Sequence, residues 1–283
     1  ITTAWIPMQD NIRLAADIYW PASYRKGDVF PVLLEYIPYR KDESRGRNYP
    51  LYSYFLDNNY IVARVDIRGT GNSEGKVIPN EYSDIELDDG EKVIEWLANQ
   101  SWSNGNVGMF GISWGGFNSI QMSMRNPPAL KAFVAVMATE YLYEEDVHYI
   151  DGIMVAGDSW MMSNDLYNSL PGAPDFIMDE QWYEDRFDVE PSVYKYMRQQ
   201  RDGPFWDRAS AKNKYHLIKV PGYHIGGWYD GYRNSLPRMI ENVSAPVKAM
   251  IGPWDHDYPH DAALKPQVEW RHEAVRWFDQ FLK

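Results

Sequence analysis

Strand-like and helix-like segments alternate along this 283-residue chain, and the alternation predicts an α/β fold in which a mostly parallel sheet carries helices on both faces. Two further observations support that class. Runs such as FPVLLEY at 30–36 and AFVAVM at 132–137 are apolar nearly throughout, as strands covered on both faces must be. The segments between such runs repeat apolar residues at helical spacing.

In chain order, Asn11 to Trp20 alternates polar and apolar side chains and predicts an early, half-exposed strand. Phe30 to Tyr36 and Tyr60 to Val65 are expected as buried strands, with a helix over Tyr49 to Asn58 between them. Asp66 to Gly75 (DIRGTGNSEG) is crowded with Gly and turn formers, which makes it a loop leaving a strand end. Asp84 to Gln100 places Ile85, Val93, Ile94, Trp96 and Leu97 on a helix. Asn106 to Ile112 is a short buried strand, Gly115 to Met124 the helix that follows, and Ala132 to Met137 the next strand. From about Glu140 to Asn213 the β-branched runs stop, while Trp, Tyr, Met and acidic residues recur at helical spacing. That stretch predicts a helical cap inserted over the sheet, so the core comprises 1–139 and 214–283 and the cap 140–213. Sheet-like sequence resumes at Val220 to Tyr229, a helix is expected from Arg233 to Asn242, and Val247 to Gly252 is the last strand. An amphipathic helix from Gln267 to Leu282 completes the pattern.

Composition narrows the function classes. Apolar residues make up 45% and aromatics 15%, including 12 Trp and 21 Tyr, which argues for a packed interior and against disorder. A net charge of −12 without clustered Lys and Arg argues against nucleic acid as a partner. No apolar run reaches the roughly 18 residues of a membrane span, so no membrane partner is expected. The absence of Cys removes disulfides, thiolate catalysis and thiolate metal sites. It suits the cytosol, slightly favoured here, and also a secreted enzyme without bridges. No His pair with Asp or Glu has a spacing that compels a metal site, and no cofactor is expected.

The chemistry concentrates at Gly111-Ile112-Ser113-Trp114-Gly115. A short apolar strand runs into Ser113 and a helix leaves after it, the strand-turn-helix context of a nucleophile elbow, which points to an α/β-hydrolase fold. Gly111 and Gly115 remove side chains that would collide in that turn, and the helix start offers free N–H groups to an oxyanion. A serine hydroxyl needs a base, and the base needs a carboxylate to orient it. Asp230 at the end of GYHIGGWYDG and His256 in MIGPWDH follow Ser113 in the required order, each after a predicted strand. His260 is a rival for the base, and Asp255 and Asp257 are rivals for the acid, though direct neighbours of a His are poorly placed to accept its Nδ1 proton. His224, within a strand, is expected in the core, and His148, His216 and His272 in surface or structural roles.

LAADIYWP near the start, IPYRKDE at 37–43, VARVDIRGTGNSEG at 62–75, IEWLANQSWSNGNVGMFGISWGG at 94–116, GGWYDG and GPWDH together resemble the X-prolyl dipeptidyl peptidase and cocaine esterase (CocE/NonD) family of α/β-hydrolases. The resemblance covers nearly the whole chain and implies the same triad, Ser113, Asp230 and His256. It also implies that the Tyr39 hydroxyl completes an oxyanion hole, with the backbone N–H of Trp114 as the second donor. Members of the family commonly continue into a β-rich jelly-roll domain, whereas this chain stops at Phe281-Leu282-Lys283. The expectation is a naturally short form or a cut chain. Without that domain the aromatic tail helix would offer an apolar patch able to pair with a second copy.

The predicted reaction is acyl transfer to water from a small-molecule ester, amide or short peptide. Trp160, Met161, Met162, Trp182 and Tyr183, with Trp228 beside the acid, are candidate pocket residues; those of the insertion serve equally well as its own core. Glu144, Glu145, Asp146, Asp151 and Asp158 form either a solvated face or a site for a free α-amine. A carboxylesterase is the first reading, an X-prolyl aminopeptidase or amino-acid ester hydrolase the second, and a catalytically silent binding protein the remotest.

Overall fold

The computed structural model describes residues 1–155, 157 and 177–283. Strands β1 (Thr2–Pro7), β2 (Arg13–Tyr19), β3 (Phe30–Ile37), β4 (Ile61–Asp66), β5 (Ser103–Ile112) and β6 (Leu130–Val136) precede a two-stranded hairpin of β7 (Tyr149–Ile150) and β8 (Ile153–Met154). β9 (Gly222–Gly227) and β10 (Val247–Gly252) follow. The main sheet has eight strands in the order β1-β2-β4-β3-β5-β6-β9-β10. Every pairing from β4 to β10 is parallel, whereas β2 runs antiparallel to both β1 and β4.

Helices cover both faces. α2 (Asp84–Ala98) and α3 (Trp114–Arg125) pack Val93, Ile94, Leu97, Phe117 and Ile120 into one core layer. α1 (Arg45–Asp57) and the last helix (Arg271–Leu282) pack Tyr52, Phe55, Phe278 and Leu282 into the other, with Leu33, Val62 and Phe110 from the sheet. The layers follow from the pleat. On β3, Leu34 and Tyr36 face one layer and Leu33 the other, so an apolar run with period two feeds both cores. At roughly 1.5–3 kcal/mol for each large side chain fully buried, these layers are the main favourable term in folding.

The chain passes from β3 outward to β4 and then back across to β5, so the strand order reverses between β3 and β5. A crevice opens at the carboxyl ends there, where α/β sheets place ligands. Residues 140–213, expected as a helical cap, contain short described helices at Glu180–Trp182, Ser192–Arg198 and Pro204–Asp207 together with the β7–β8 hairpin. Tyr149, Tyr196 and Trp206 of this segment join the core layer of α2 and α3.

Two boundaries differ from the pattern reading. α1 starts at Arg45 and carries Pro50 inside it, where a Pro argues against reading a helix across its position. β1 is an exposed edge strand without an apolar run, so its alternation is weak; only its register against β2, Thr2 opposite Ile18 through Pro7 opposite Arg13, defines it.

Candidate active site

β5 delivers the chain to Ser113, and α3 begins at the next residue. Ser113 has φ 57° and ψ −126°, a conformation that costs a non-glycine residue on the order of 1–3 kcal/mol. The turn is held by its own bonds: the Ser113 N–H donates to Val136 O at 3.0 Å, and its carbonyl accepts the Phe117 N–H at 2.9 Å. Glycine is obligatory beside it. A Cβ at Gly111 would stand 2.7 Å from the Gly115 Cα, and one at Gly116 would stand 2.8 Å from the Ala138 Cβ.

Asp230 follows β9 through a tight crossing of backbones. The Trp228 N–H donates to Gly252 O at 2.8 Å and the Tyr229 N–H to Trp254 O at 3.1 Å, which ties the end of β9 to the end of β10. A Cβ at Gly227 would fall 2.0 Å from the Trp254 oxygen, so only glycine permits the approach. The result brings Asp230 and His256 together, with Asp230 Oδ1 2.9 Å from His256 Nδ1. Asp230 is buried and its Oδ2 has no hydrogen-bond partner among the described residues, while His256 is part-exposed and meets Tyr232 edge to face at 5.6 Å. With the Nδ1 proton donated to Asp230, Nε2 is left free to accept one.

Ser113, Asp230 and His256 line one cavity of about 740 Å³, together with Tyr39, Asp146 and Tyr232. Tyr39 stands past the end of β3 and meets Trp114 edge to face at 6.4 Å. Trp114 is fully buried, and its indole N–H donates to Glu86 at 2.7 Å. His260 also lines the cavity, but its Nδ1 accepts the Trp270 indole N–H at 2.7 Å, and burial lowers its pKa. Asp257 lines the cavity as well, but it is Asp230 that pairs with His256. His224 is buried on β9, where loss of hydration pushes its pKa down to about 4. No group of three or more His, Asp or Glu among the described residues could hold a metal ion.

Of the acidic run, only Asp146 reaches this cavity among the described residues. Glu145 is committed to the Arg238 guanidinium at 2.6 Å and to the Asn234 N–H at 2.7 Å, whereas Glu144 and Asp151 are exposed. Burial pushes Asp146 up to about 7, with Glu81 adding to the rise and His148 opposing it. His148 takes the structural one of its two expected roles: it is wholly buried and stacks on Tyr196 at 3.8 Å with Nε2 2.7 Å from Glu81.

The candidate pocket aromatics lie elsewhere. Trp182 lines a second cavity of about 1160 Å³, Tyr183 is exposed and edge-on to Trp182, and Trp228 is exposed; none of the three lines the Ser113 cavity. Arg186 explains the placement of Trp182, since it donates to the Gly71 and Ser73 carbonyls and ties this segment to the loop after β4. Trp160, Met161, Met162 and Asp158 lie outside the described residues. The aromatic wall beside Ser113 comes from Tyr39, Tyr232 and Tyr258. Glu86 was not singled out by motif. Its signal was Ser83-x-x-Glu86, a capping-box spacing, although Glu86 accepts the Tyr82 N–H and turns its other oxygen to Trp114.

Comparison with known proteins shows the family and the fold. The chain is 28% identical over 280 residues to cocaine esterase from Rhodococcus sp. (strain MB1 Bresler), covering 89% of this chain and 48% of that one. The fold matches a CocE/NonD family hydrolase from Staphylococcus aureus with a TM-score of 0.77 and 23% identity, over 99% of this chain and 50% of that one. It also matches an α-amino acid ester hydrolase with a TM-score of 0.73 and 23% identity, over 99% and 54%. The chain thus spans about half the length of such relatives. The mostly parallel sheet with helices is an α/β-hydrolase fold, and the family model for X-Pro dipeptidyl-peptidase (S15 family) matches residues 10–258. On that match, the chain belongs to the X-Pro dipeptidyl-peptidase (S15) family of hydrolases.

Proposed function

We propose that the chain hydrolyses a carboxylic ester through an acyl-enzyme on Ser113. The observation that carries this reading is a strained serine at a strand-to-helix turn, sharing a cavity with a histidine whose Nδ1 is held by a buried carboxylate. In the proposed sequence His256 Nε2 takes the Ser113 proton as Oγ attacks the carbonyl carbon, and Asp230 stabilises the imidazolium. The Trp114 N–H and the Tyr39 hydroxyl receive the oxyanion. Collapse expels the alcohol with the proton from His256, and a water activated by the same nitrogen then releases the acid. The esterase name of the Rhodococcus relative supports the choice of ester over amide. A fluorophosphonate probe should label Ser113, and Ser113→Ala should lose both labelling and turnover of p-nitrophenyl esters. Full turnover by Ser113→Ala would overturn the reading, and an unlabelled folded wild type would favour a silent binding protein.

A second reading rests on Asp146. Its buried carboxyl stands in the Ser113 cavity, and its charge adds to the burial that holds the Tyr82 and Tyr232 hydroxyls well above their ordinary pKa. A carboxylate among aromatic rings suits a substrate ammonium group. The α-amino acid ester hydrolase among the structural matches carries that substrate class in its name. Parallel assays on esters and on an Xaa-Pro anilide, each with a free and a blocked amine, separate the readings. Cleavage restricted to free-amine substrates would make the second reading the first.

A further inference from the structure

Behind the nucleophile turn lies a buried carboxylate that no step above uses. Glu86, in the first turn of α2, is fully buried. Its Oε1 accepts the Trp114 indole N–H at 2.7 Å and the Asn118 amide at 3.1 Å, and its Oε2 accepts the Tyr82 backbone N–H at 2.6 Å. The Asn118 amide also donates to Tyr36 O at 3.0 Å, and the Tyr36 hydroxyl donates back to the Glu86 carbonyl at 3.0 Å. One side chain therefore ties the start of α2 to the first turn of α3, and its neighbours tie both to the end of β3.

A carboxylate is an expensive way to fill such a space. Taking it out of water costs more than packing an apolar group of the same volume, and burial pushes Glu86 up to about 7 even though three donors oppose the rise. The geometry suggests what offsets the cost. Trp114 is the first residue of α3, directly after the strained Ser113, and a first-turn N–H has no acceptor within its own helix. That N–H can stabilise an oxyanion only if it is aimed, because a misplacement of about 1 Å can cost a factor of about 100. A bond at the indole end of the same residue fixes the rotation of the whole residue about the turn.

We propose that Glu86 is a positioning residue for the oxyanion site: by holding the Trp114 indole it fixes the direction of the Trp114 backbone N–H beside Ser113. The proposal rests on Ser113 as the nucleophile. Two variants probe the bond from either end. Glu86→Met keeps nearly the same volume and removes both acceptor oxygens, and Trp114→Phe removes the indole donor while keeping the backbone N–H. Each is compared with wild type in kcat/KM on a p-nitrophenyl ester, in Ki for a trifluoromethyl ketone with the same acyl chain, and in Ki for a planar N-alkyl amide isostere. Fluorophosphonate titration counts competent sites, so misfolded protein does not enter the rate.

Per competent site, both variants should lose about 10-fold to 100-fold in kcat/KM. The ketone, which adds to Ser113 and becomes a tetrahedral oxyanion, should weaken by the same factor, while the planar isostere stays within about twofold. A merely structural role would not move the two inhibitors apart. Labelled wild type together with an unchanged ketone Ki in the variants overturns the role of Glu86 alone. Wild type that the probe leaves unlabelled overturns the nucleophile and this proposal with it. Should Glu86→Met give no folded protein, the ketone Ki of Trp114→Phe decides by itself.

Discussion

The larger of the two described cavities is chemically quiet, and the smaller one holds the tension. In the cavity of about 1160 Å³, Arg68 meets Asp89 at 2.6 and 2.8 Å and Asp10 at 2.6 and 3.2 Å, while Arg186 is spent on backbone carbonyls. These guanidinium groups are answered within the fold. In the cavity of about 740 Å³, Ser113 sits in a strained conformation, Asp230 Oδ2 has no hydrogen-bond partner among the described residues, and Asp146 is lifted to about 7. Room for a ligand and readiness to react are separate properties. Backbone strain marks the second, because a fold maintains it only against a cost.

The sharpest way to break the comparison is to remove tension at one site and bulk at the other. Asp230→Asn leaves the shape of the smaller cavity but presents an amide to His256 Nδ1, favouring the wrong tautomer, so turnover of a p-nitrophenyl ester should fall by about 10⁴-fold. Gln181→Ala, at the exposed rim of the larger cavity, should leave steady-state turnover within about twofold, as surface changes usually do. A greater loss in Gln181→Ala than in Asp230→Asn would invert the assignment.

Tyr39→Phe is the next step down. It deletes one hydroxyl while preserving the edge-on contact with Trp114. Turnover should drop by about 10-fold to 1000-fold, by analogy with other oxyanion donors. An unchanged rate would remove Tyr39 from the mechanism and leave the Trp114 N–H as the main donor.

The two cavities also differ in how far the sequence exposed them. The positions of Ser113, Asp230 and His256 shortly after strand ends were legible, because period-two and period-3.6 patterns locate strand ends well. Gly111 and Gly116 were legible for a similar reason, since only the absence of a side chain allows the approaches they make. The loop after β4 was readable as a loop but not in its cause: Asp66 accepts the Lys41 and Asn72 N–H groups, and a Cβ at Gly71 would press on its carboxylate at 2.1 Å. Trp182 and Trp228 do not line the Ser113 cavity: aromatic content does not report direction. A segment's docking, here through Arg186, decides which cavity its rings meet. Among five acids in the cap, residue type could not separate Asp146 from Glu145. What separates them is long-range: Arg238 and the Asn234 N–H hold Glu145, whereas Asp146 has no ion pair with an Arg or Lys among the described residues.

That isolation has a thermodynamic consequence at Asp146. Its folded-state pKa of about 7 lies above the ordinary 3.8, so between those values the folded chain holds a proton that the unfolded chain releases. Stability from this group is therefore gained as pH falls through 7 and lost as pH rises past it. Asp146→Asn removes the ionisation. The variant should melt above wild type at pH 8, by more than the about 2–4 °C that 1 kcal/mol is worth for a chain of this size, and the gap should narrow steadily as pH falls from 7 toward 4. Glu86 and Asp66, raised to about 7 and about 6, act in the same direction, whereas His224, lowered to about 4, destabilises on acidification below its ordinary 6.5. All three are common to both proteins and largely cancel in the difference, while Glu81 and His148, which face Asp146 directly, remain as the pair whose charges the variant still feels. A gap independent of pH would mean that Asp146 is ionised and satisfied like the ions of the larger cavity. A gap that closes on acidification, with activity lost only toward free-amine substrates, would show a carboxylate kept at a cost in stability for the ammonium group it recognises.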